Sequence, residues 1–467
     1  MSQANKTTVL VVGGGPGGYV TALRAAQLGL QVTLVEGDRL GGTCLIRGCI
    51  PSKALIHAAE KFSNVREAAR QGGTLGISIG AEPSLNLSET VRWKDSVVDR
   101  LNEGVGGLLR RAKVQVISGW ATFNDAKSCV VRTAAGPVAI SAEHVVLATG
   151  SEPVELPGLP FGDAIISSTE ALSLQSLPRS LAVIGAGYIG LELGSALRKL
   201  GVDVTVIEAQ DRILPLYDTQ LVKPVARWLE RAGVTVHLGA SVSGYEAGSL
   251  FARTADGKTL AIKAEQVLVT VGRRPRTQGW GLENMGVEMS GRFVQVDDQC
   301  RTSMRNVWAI GDLVGEPMLE HKAAAQGEMV AEIIAGRRRR FNPVAIPAVC
   351  FTEPEIVSVG MSPGDTSESD MEVITSQFPF AANGRALSMQ AGEGGGFVRI
   401  VARKHDHRLL GIQAVGAHVS ELSGEFALAL EMGATLEDVA GVIHAHPTLS
   451  EAFFEASLAG LGHALHV

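Results

Sequence analysis

The sequence is poor in cysteine and in long apolar runs, and each shortage excludes a class of protein. Five cysteines in 467 residues are too few for the disulfide framework of a secreted protein. No uncharged apolar run reaches the roughly 18 residues of a membrane span, and the start, MSQANKTTVLVVGGGPGG, lacks the layout of a signal peptide. A net charge of −6 gives no electrostatic reason to expect nucleic-acid binding. We therefore expect a cytoplasmic protein that binds neither a membrane nor a nucleic acid.

The chain is rich in glycine, and it is long enough for several domains. Its 55 glycines exceed the usual share of about 7%, which fits many tight turns between strands and helices. A chain of 467 residues is expected to divide into about two to four domains.

The segment TVLVVGGGPGGYVTALRAAQLGLQVTLVE has the pattern of a dinucleotide-binding βαβ unit. It predicts a strand at 8–12, a helix at 19–28 and a second strand at 31–35. Glycines in the turn allow a tight bend, close approach of a pyrophosphate and packing of the helix on the strand, and an acid after the second strand can bind a ribose. These residues are Gly13, Gly15, Gly18 and Glu36.

The same pattern recurs in SLAVIGAGYIGLELGSALRKLGVDVTVIE, with Gly185, Gly187, Gly190 and a terminal acid, Glu208. Two complete fingerprints predict two dinucleotides on one chain, which favours a flavin that exchanges electrons with a nicotinamide. The carboxylate of Glu208 repels a 2′-phosphate, so we expect NAD rather than NADP, although Arg212 lies close by in the sequence and weakens that preference.

Two of the five cysteines lie close together in GGTCLIRGCIPSK, where Cys44 and Cys49 are separated by about one helical turn. A zinc site needs about four ligands, and the other cysteines stand alone, so we expect no metal. Cys129, Cys300 and Cys350 are expected in the core, as free cysteines usually are. A redox pair is favoured, and a structural disulfide is the alternative that a reducing cytosol disfavours.

The chain resembles the flavin-dependent pyridine nucleotide–disulfide oxidoreductases from about Thr8 to Val467. The most specific shared motifs are GGTCLIRGCIPSK and HAHPTLSEAFFEA, supported by VVLATGS, VTVGRRPRT and VWAIGDLV. The resemblance implies an α/β fold with two Rossmann-like dinucleotide-binding domains and a C-terminal α+β dimerisation domain, hence a homodimer. Its implied divisions are an FAD-binding domain at 1–150, an NAD-binding domain at 151–275, a central segment returning to the FAD side at 276–343 and the dimerisation domain at 344–467.

The resemblance also implies catalytic roles. Cys44 would exchange with the substrate, and Cys49 would lie against the flavin ring. His446 would be the acid/base that reaches the cysteines of the other subunit, and Glu451 would orient it. The alternative is that the histidines of this motif serve only the interface, which is the role we expect for His444.

Further residues are implied to bind the cofactors. Lys53 would approach the flavin ring and pair with Glu192, Asp312 would bind the ribityl chain, and the backbone at Ala121 would touch the adenine. On the FAD side the matching residues also include Thr149, Gly150, Ser151, Met318, Leu319 and His321. On the NAD side the matching residues are those of the second glycine turn, Glu208, Val242 and Gly272.

Two departures from the family pattern fall near these residues. Ile46 stands between the cysteines where the family usually has Asn, and Arg47 follows it. Glu320 stands in the flavin-side segment where Ala is usual.

Within the family, the resemblance implies oxidation of dihydrolipoamide carried on a partner's lysine, with reduction of NAD+ to NADH. The partner would be the lipoyl-bearing acyltransferase of a 2-oxo-acid dehydrogenase complex, with weak similarity to branched-chain forms, or a glycine-cleavage carrier. Mercuric reductases carry a further cysteine pair near the C-terminus, glutathione reductases favour NADP, and soluble transhydrogenases lack the redox pair. Another disulfide reductase of this type and a non-enzymatic flavoprotein scaffold remain the alternatives. The four arginines at 337–340 are expected to form a solvated surface segment.

Overall fold

A computed structural model describes residues 5–70, 75–368, 371–392 and 394–467. Residues 1–4 lie outside these ranges. They begin both the segment that was compared with a signal peptide and the expected FAD-binding domain.

The N-terminal region is a sheet of largely parallel strands with helices on it. The predicted strand, helix and strand of the first fingerprint are confirmed. The helix begins at Pro16, three residues earlier than predicted, because proline lacks the backbone N–H that would have no partner in the first turn. The elements are β1 (Asn5–Val12), α1 (Pro16–Gln27), β2 (Val32–Glu36), α2 (Gly42–Arg47), α3 (Cys49–Arg70), α4 (Leu87–Arg111), β3 (Gln115–Ser118), β4 (Trp120–Phe123), β5 (Ser128–Thr133) and β6 (Gly136–Leu147).

The strand order of this sheet is β3-β2-β1-β6-β5-β4. β3, β2, β1 and β6 are parallel, whereas β4 and β5 form antiparallel pairs beside them. The carboxyl-terminal halves of the interior strands are largely buried, with Val9, Leu10 and Val11 of β1 among the core residues, as expected for strands covered on both faces.

The middle region repeats this architecture. Its elements are β7 (Ser151–Pro153), β8 (Ile165–Ile166), α5 (Ser168–Ala171), β9 (Ser180–Ile184), α6 (Tyr188–Lys199), β10 (Asp203–Ile207), α7 (Thr219–Arg231), β11 (Thr235–His237), β12 (Ser241–Glu246), β13 (Ser249–Arg253), β14 (Thr259–Lys263), β15 (Gln266–Val269) and β16 (Arg273–Pro275). The parallel sheet has the order β11-β10-β9-β15-β8, and β12, β13 and β14 form an antiparallel sheet. β7 and β16 pair where the chain enters and leaves this region.

The chain then returns to the first sheet. The elements are β17 (Met289–Ser290), β18 (Phe293–Val294), β19 (Val307–Ala309) and α8 (Glu320–Ile334). β19 pairs in parallel with β6, and α8 crosses α1 so closely that a Cβ at Gly327 would lie 2.4 Å from the carbonyl oxygen of Gly17.

The arginine run after α8 is exposed as predicted, but it is also tied to the protein. Arg337 and Arg339 donate to the two carboxylate oxygens of Glu332 at 2.8 and 2.6 Å, and Arg24 of α1 donates to the same carboxylate at 2.5 Å. Glu332 is only 3% exposed. The run therefore helps to fasten α8 to α1.

The C-terminal region is an antiparallel sheet covered by helices. Its elements are β20 (Ala348–Cys350), β21 (Glu355–Gly360), β22 (Val373–Pro379), α9 (Gly384–Ser388), β23 (Phe397–Arg403), β24 (Leu409–Gly416), α10 (Ser423–Glu431), α11 (Leu436–Gly441) and α12 (Glu451–Gly460). The strand order is β20-β21-β24-β23-β22. Four large apolar side chains lie exposed in or near α10 and α11, namely Leu428, Met432, Val442 and Ile443, which indicates a contact surface.

Short 3-10 turns complete the described chain at Leu282–Met285, Gly311–Val314, Pro363–Glu368, Phe380–Ala382 and Val419–Leu422. Among the helices of the described residues, none has the length and apolar character to cross a bilayer.

Candidate active site

A cavity of about 620 Å³ lies at the carboxyl ends of the N-terminal strands and extends to the middle region. It brings together most of the residues expected on the FAD side. These are Gly13, Gly15, Glu36, Cys44, Cys49, Lys53, Ala121, Thr149, Gly150, Ser151, Glu192, Asp312 and Met318. Gly18, Leu319 and His321 do not line it, and neither do the residues expected on the NAD side nor His446 and Glu451.

The first glycine turn is shaped by close backbone approaches. Gly13 has φ +102°, and a Cβ there would lie 2.2 Å from the carbonyl oxygen of Ala148. A Cβ at Gly18 would lie 1.8 Å from the carbonyl oxygen of Gly13, so this glycine serves helix packing beneath the cavity. Oε2 of Glu36 accepts from the N–H of Gly14 at 2.5 Å. Burial raises the pKa of Glu36, against the opposing effect of this hydrogen bond.

The second glycine turn has the same construction. Gly185 has φ +97°, and its Cβ would lie 2.6 Å from the carbonyl oxygen of Thr270. Oε2 of Glu208 accepts from the N–H of Ala186 at 2.7 Å, with the same 22-residue separation as in the first turn. A Cβ at Gly187 would meet nothing within 4 Å. The protein itself does not require a glycine there, whereas close approach of a pyrophosphate would.

Other residues near the second turn have distinct positions. Arg212 donates to Thr219 Oγ1 and to the carbonyl oxygen of Pro215 at 3.1 and 2.6 Å, so the loop after β10 holds its guanidinium. Val242 lies at an irregularity in the pairing of β12 with β13. Gly272 has φ +124°, in the left-handed half of conformational space where glycine is favoured.

The two paired cysteines lie on different helices. Cys44 is in α2 and Cys49 is the first residue of α3, so the expected single helical turn is interrupted between them. The interruption is Gly48, whose φ of −141° and ψ of −110° are not helical. A Cβ at Gly48 would lie 2.8 Å from the carbonyl oxygen of Thr43, which leaves no room for a side chain. Both cysteines are free thiols.

The two thiols share a hydrogen bond that separates their acidities. The bond raises the pKa of Cys44, with burial acting in the same direction. It lowers the pKa of Cys49 against the effect of burial, and the positive charge of Lys53 lowers it further. Cys49 also opens a helix of 22 residues, whose N-terminal dipole favours a thiolate. The arrangement therefore favours a thiolate at Cys49 over a thiolate at Cys44.

A buried carboxylate holds Lys53 in place. Oε2 of Glu192 lies 2.8 Å from Nζ of Lys53, and Oε1 accepts from the N–H of Phe351 at 2.8 Å. The ring of Phe351 lies 4.4 Å from the same ammonium, in a cation–π contact. Glu192 of α6 and Phe351 after β20 thus both contact the side chain of Lys53 in α3.

A hydrogen bond holds Asp312 in the wall of the cavity. Its Oδ2 accepts from Oγ of Ser151 at 2.5 Å, and Nε of Arg273 donates to the same hydroxyl at 2.8 Å. A carboxylate bound on one side and open to the cavity on the other is suited to accept from a hydroxyl of a ligand.

In the flavin-side segment at 318–321, alternate residues line the cavity. Met318 and Glu320 line it. Leu319 is the residue that precedes α8, and Nε2 of His321 lies 2.8 Å from the carbonyl oxygen of Pro347. The side chains of Leu319 and His321 therefore have no part in the cavity wall.

His446 and Glu451 form a pair on the surface of the C-terminal region. Nδ1 of His446 lies 3.0 Å from Oε1 of Glu451, and the N–H of Thr448 donates to Oε2 at 2.8 Å. Burial opposes the ionisation of Glu451, but these two bonds hold its pKa below the usual range. The imidazole is 79% exposed. His444, in contrast, is buried beside Glu425 at 3.2 Å.

The sequence does not predict Phe351, and no role was expected for Arg273 although it lies in the motif VTVGRRPRT. Phe351 has no local signal, because its contacts with Lys53 and Glu192 join residues far apart in the sequence. Ile46, the departure between the cysteines, packs against the core, and Arg47 pairs with Asp38. In the described part of the chain no group of three or more His, Cys, Asp or Glu side chains could hold a metal ion.

Comparison with known proteins gives the class. Residues 7–327 match the family described as pyridine nucleotide-disulphide oxidoreductase, and residues 346–457 match its dimerisation domain. The chain belongs to the pyridine nucleotide–disulfide oxidoreductase family, whose domains bind FAD and NAD, and its dimerisation domain indicates a homodimer.

Particular relatives narrow the class. A dihydrolipoyl dehydrogenase of Pseudomonas aeruginosa is 59% identical over the full length of both chains, and that of Geobacillus stearothermophilus is 44% identical over 99% of this chain and 98% of the relative. Among solved structures, LpdA from Mycobacterium tuberculosis has a TM-score of 0.88 at 27% identity, covering 97% of this chain and 99% of that one. The flavoprotein disulfide reductase RclA from Escherichia coli has a TM-score of 0.84 at 26% identity, covering 96% and 99%.

Proposed function

We propose that this chain acts as an FAD-dependent dihydrolipoyl dehydrogenase, which oxidises dihydrolipoamide and reduces NAD+ to NADH. The observation that carries the proposal is the hydrogen-bonded pair of Cys44 and Cys49 in the wall of the cavity beside the first glycine turn. A second glycine turn built in the same way supports binding of NAD to the same chain.

The chemistry at the cysteines is thiol–disulfide exchange. In the oxidised enzyme a substrate thiolate attacks Sγ of Cys44, the bond to Cys49 breaks, and Cys49 leaves as a thiolate. The second substrate thiol, after losing its proton, attacks the mixed disulfide and releases Cys44, so the substrate becomes a cyclic disulfide and the enzyme a dithiol. FAD held in this cavity would supply the acceptor for the two electrons of the dithiol, and NAD+ at the second glycine turn would be the final hydride acceptor. The acidity difference within the thiol pair supports the division of roles, because the better thiolate is the better leaving group.

The fit of the cavity to FAD rests on its own groups. The tight first turn, with no room for a Cβ at Gly13, leaves backbone N–H groups at the start of α1 for a pyrophosphate. Glu36 would bind a ribose, Asp312 would accept from the ribityl chain, and Lys53 would lie near the flavin ring. Thr149, Gly150, Ser151, Met318 and the backbone of Ala121 would complete the contacts.

His446 is proposed as the base that takes the thiol proton, with Glu451 as its orienting partner. It does not line the cavity that holds the cysteines of the same chain, and it is exposed beside an apolar surface. A second copy of the chain would bring its own His446 to the cavity, so each active site would use two subunits.

The lipoyl-bearing partner is proposed as the acyltransferase of a 2-oxo-acid dehydrogenase complex or a glycine-cleavage carrier, acting in the cytoplasm. The four-part division at residues 150, 275 and 343 is part of the same proposal. It is supported by the return of β19 to the first sheet after the middle region.

The test is steady-state formation of NADH from dihydrolipoamide and NAD+ by the purified holoenzyme. We expect activity in the wild type, none in Cys44→Ser or Cys49→Ser, and near-normal activity in Cys129→Ala, whose thiol is buried outside the cavity. Glutathione disulfide with NADPH tests the alternative of another disulfide reductase. Activity with that pair and none with dihydrolipoamide would overturn the proposal.

A further inference from the structure

Glu320 places a carboxylate in the wall of the cavity that holds Cys44 and Cys49. It is the first residue of α8, a helix of 15 residues whose preceding residue, Leu319, gives no side-chain cap. A carboxylate in the first turn is favoured by the helix dipole. This placement alone would make Glu320 a helix-stabilising residue with no part in the chemistry.

The surroundings of Glu320 distinguish it from the other carboxylates of the cavity. Glu36 and Asp312 accept hydrogen bonds from Gly14 and Ser151, and Glu192 is paired with Lys53. Among the residues that the structure describes, nothing forms a hydrogen bond or an ion pair with the carboxylate of Glu320. Its charge is therefore not neutralised by a neighbour.

The groups that feel this charge lie on three different helices. They are Tyr19 of α1, Cys44 of α2 and Cys49 of α3. For Cys44 the hydrogen bond to Cys49 and burial come first, and the negative charge of Glu320 adds to them in raising the pKa. For Cys49 it opposes the favourable effect of Lys53. A group that acts on both thiols also acts on a charged molecule that approaches them.

We propose that Glu320 is a specificity-determining residue, whose unpaired carboxylate selects neutral dithiols over anionic ones at Cys44. The inference rests on the proposed function, and it names the substrate class. Dihydrolipoamide and dihydrolipoate carry the same dithiol and differ in an amide or a carboxylate at the end of the chain. A lipoyl group joined to a lysine has the amide form, so repulsion by Glu320 would favour the protein-bound substrate over the free acid.

The first test compares kcat/KM for the two substrates in the wild type, Glu320→Gln and Glu320→Asp. We expect Glu320→Gln to narrow the preference for dihydrolipoamide by roughly three- to tenfold, through faster reaction of dihydrolipoate alone. Glu320→Asp, which keeps the charge, should retain the preference. Glu328→Gln is the matched control, because Glu328 lies on the same helix but outside the cavity wall.

The second test needs no turnover and uses the reduced holoenzyme. Iodoacetamide and iodoacetate both alkylate a thiolate of the Cys44–Cys49 pair, in a step where Sγ bonds to the methylene carbon and iodide leaves. The thiolate fraction affects both reagents equally, so the ratio of their rates reports the repulsion of the anionic reagent alone. We expect Glu320→Gln to raise the iodoacetate-to-iodoacetamide ratio by roughly three- to tenfold, with Glu328→Gln unchanged.

The two proposals fail in different ways. Equal ratios in the wild type and Glu320→Gln, with normal oxidation of dihydrolipoamide, would overturn the role of Glu320 and leave the function intact. Failure of the wild type to oxidise dihydrolipoamide would overturn the proposed function, while the alkylation ratio would still decide whether Glu320 repels anions. A loss of the preference in Glu320→Asp would also contradict an electrostatic role.

Discussion

Nζ of Lys53 lies 2.8 Å from Oε2 of Glu192, and this ion pair holds a positive charge close to the thiol of Cys49. Glu192 is 4% exposed and Lys53 is 32% exposed, so the carboxylate is anchored in the protein while the ammonium reaches the cavity. Groups far from Lys53 in the sequence hold its ammonium in place. The ammonium lowers the pKa of the Cys49 thiol, only four residues away.

Lys53→Met is expected to raise the pKa of Cys49, because the thiolate loses a nearby positive charge. The hydrogen bond from Cys44 remains and limits the change. The measurement is the pH dependence of the thiolate-dependent long-wavelength absorbance of the two-electron-reduced holoenzyme. Lys53→Arg keeps the charge and is expected to follow the wild type. Identical titrations of wild type and Lys53→Met would show that Lys53 does not tune Cys49.

The second glycine turn offers a matched pair of substitutions. Gly187→Ala is expected to leave unfolding unchanged, because its Cβ meets nothing within 4 Å, but to raise the KM for NAD+ roughly tenfold or more, because the pyrophosphate loses its close approach. Gly185→Ala is expected to lower the free energy of unfolding by about 1–3 kcal/mol, because the alanine must adopt a positive φ against Thr270. Thermal unfolding and NAD+ kinetics of both variants check this. An unchanged KM in Gly187→Ala would contradict a pyrophosphate at this turn.

The glycine turns are the part of the site that the sequence predicts best. Their function follows from local geometry, because the glycines of each turn lie within six residues. The acid that follows each turn accepts from an N–H of that turn, 22 residues earlier in the chain. The break at Gly48 was not predicted, because spacing alone does not distinguish one helix turn from two helices meeting at a glycine. Phe351 was missed for a different reason: its role depends on how the C-terminal sheet is placed against α3 and α6.

A shared active site can be tested by mixing inactive chains. His446→Gln and Cys44→Ser homodimers are each expected to be strongly impaired, with His446→Gln losing roughly 100- to 10,000-fold as the loss of a general base predicts. Subunit exchange would create heterodimers in which one site has both an intact Cys44 and an intact His446. We expect about one quarter of wild-type activity from an equal mixture.

Controls for this experiment are the unmixed variants taken through the same exchange treatment. If native mass spectrometry confirms that subunits have exchanged and the activity nevertheless stays low, a site formed by two subunits is contradicted.

Glu332 should contribute to stability in a pH-dependent way. The hydrogen bond from Arg24, with the charges of Arg337 and Arg339, lowers the pKa of this carboxyl. Its contribution is therefore present above the ordinary glutamate pKa and is lost as the pH falls through the lowered value. We expect Glu332→Gln to reduce the free energy of unfolding by about 1–2 kcal/mol at neutral pH.

Chemical denaturation across pH measures this effect. Wild type and Glu332→Gln should converge in acid, because protonation removes the same charge that the substitution removes. Asp298→Asn is the control, because it breaks an exposed 3.2 Å pair with Arg340 and is expected to cost about 0.5 kcal/mol or less. A constant difference at all pH values would show that packing, and not charge, accounts for the loss.

Anaerobic reduction of the purified holoenzyme with dihydrolipoamide, followed by addition of NAD+, tests the central claim most directly. We expect a long-wavelength charge-transfer absorption as the thiolate of Cys49 forms beside the flavin, and its loss with stoichiometric NADH when NAD+ is added. We also expect no such absorption from dihydrolipoamide in Cys49→Ser. Flavin that stays oxidised in the presence of dihydrolipoamide would contradict the substrate assignment, and a purified protein without flavin would contradict the interpretation of the first glycine turn.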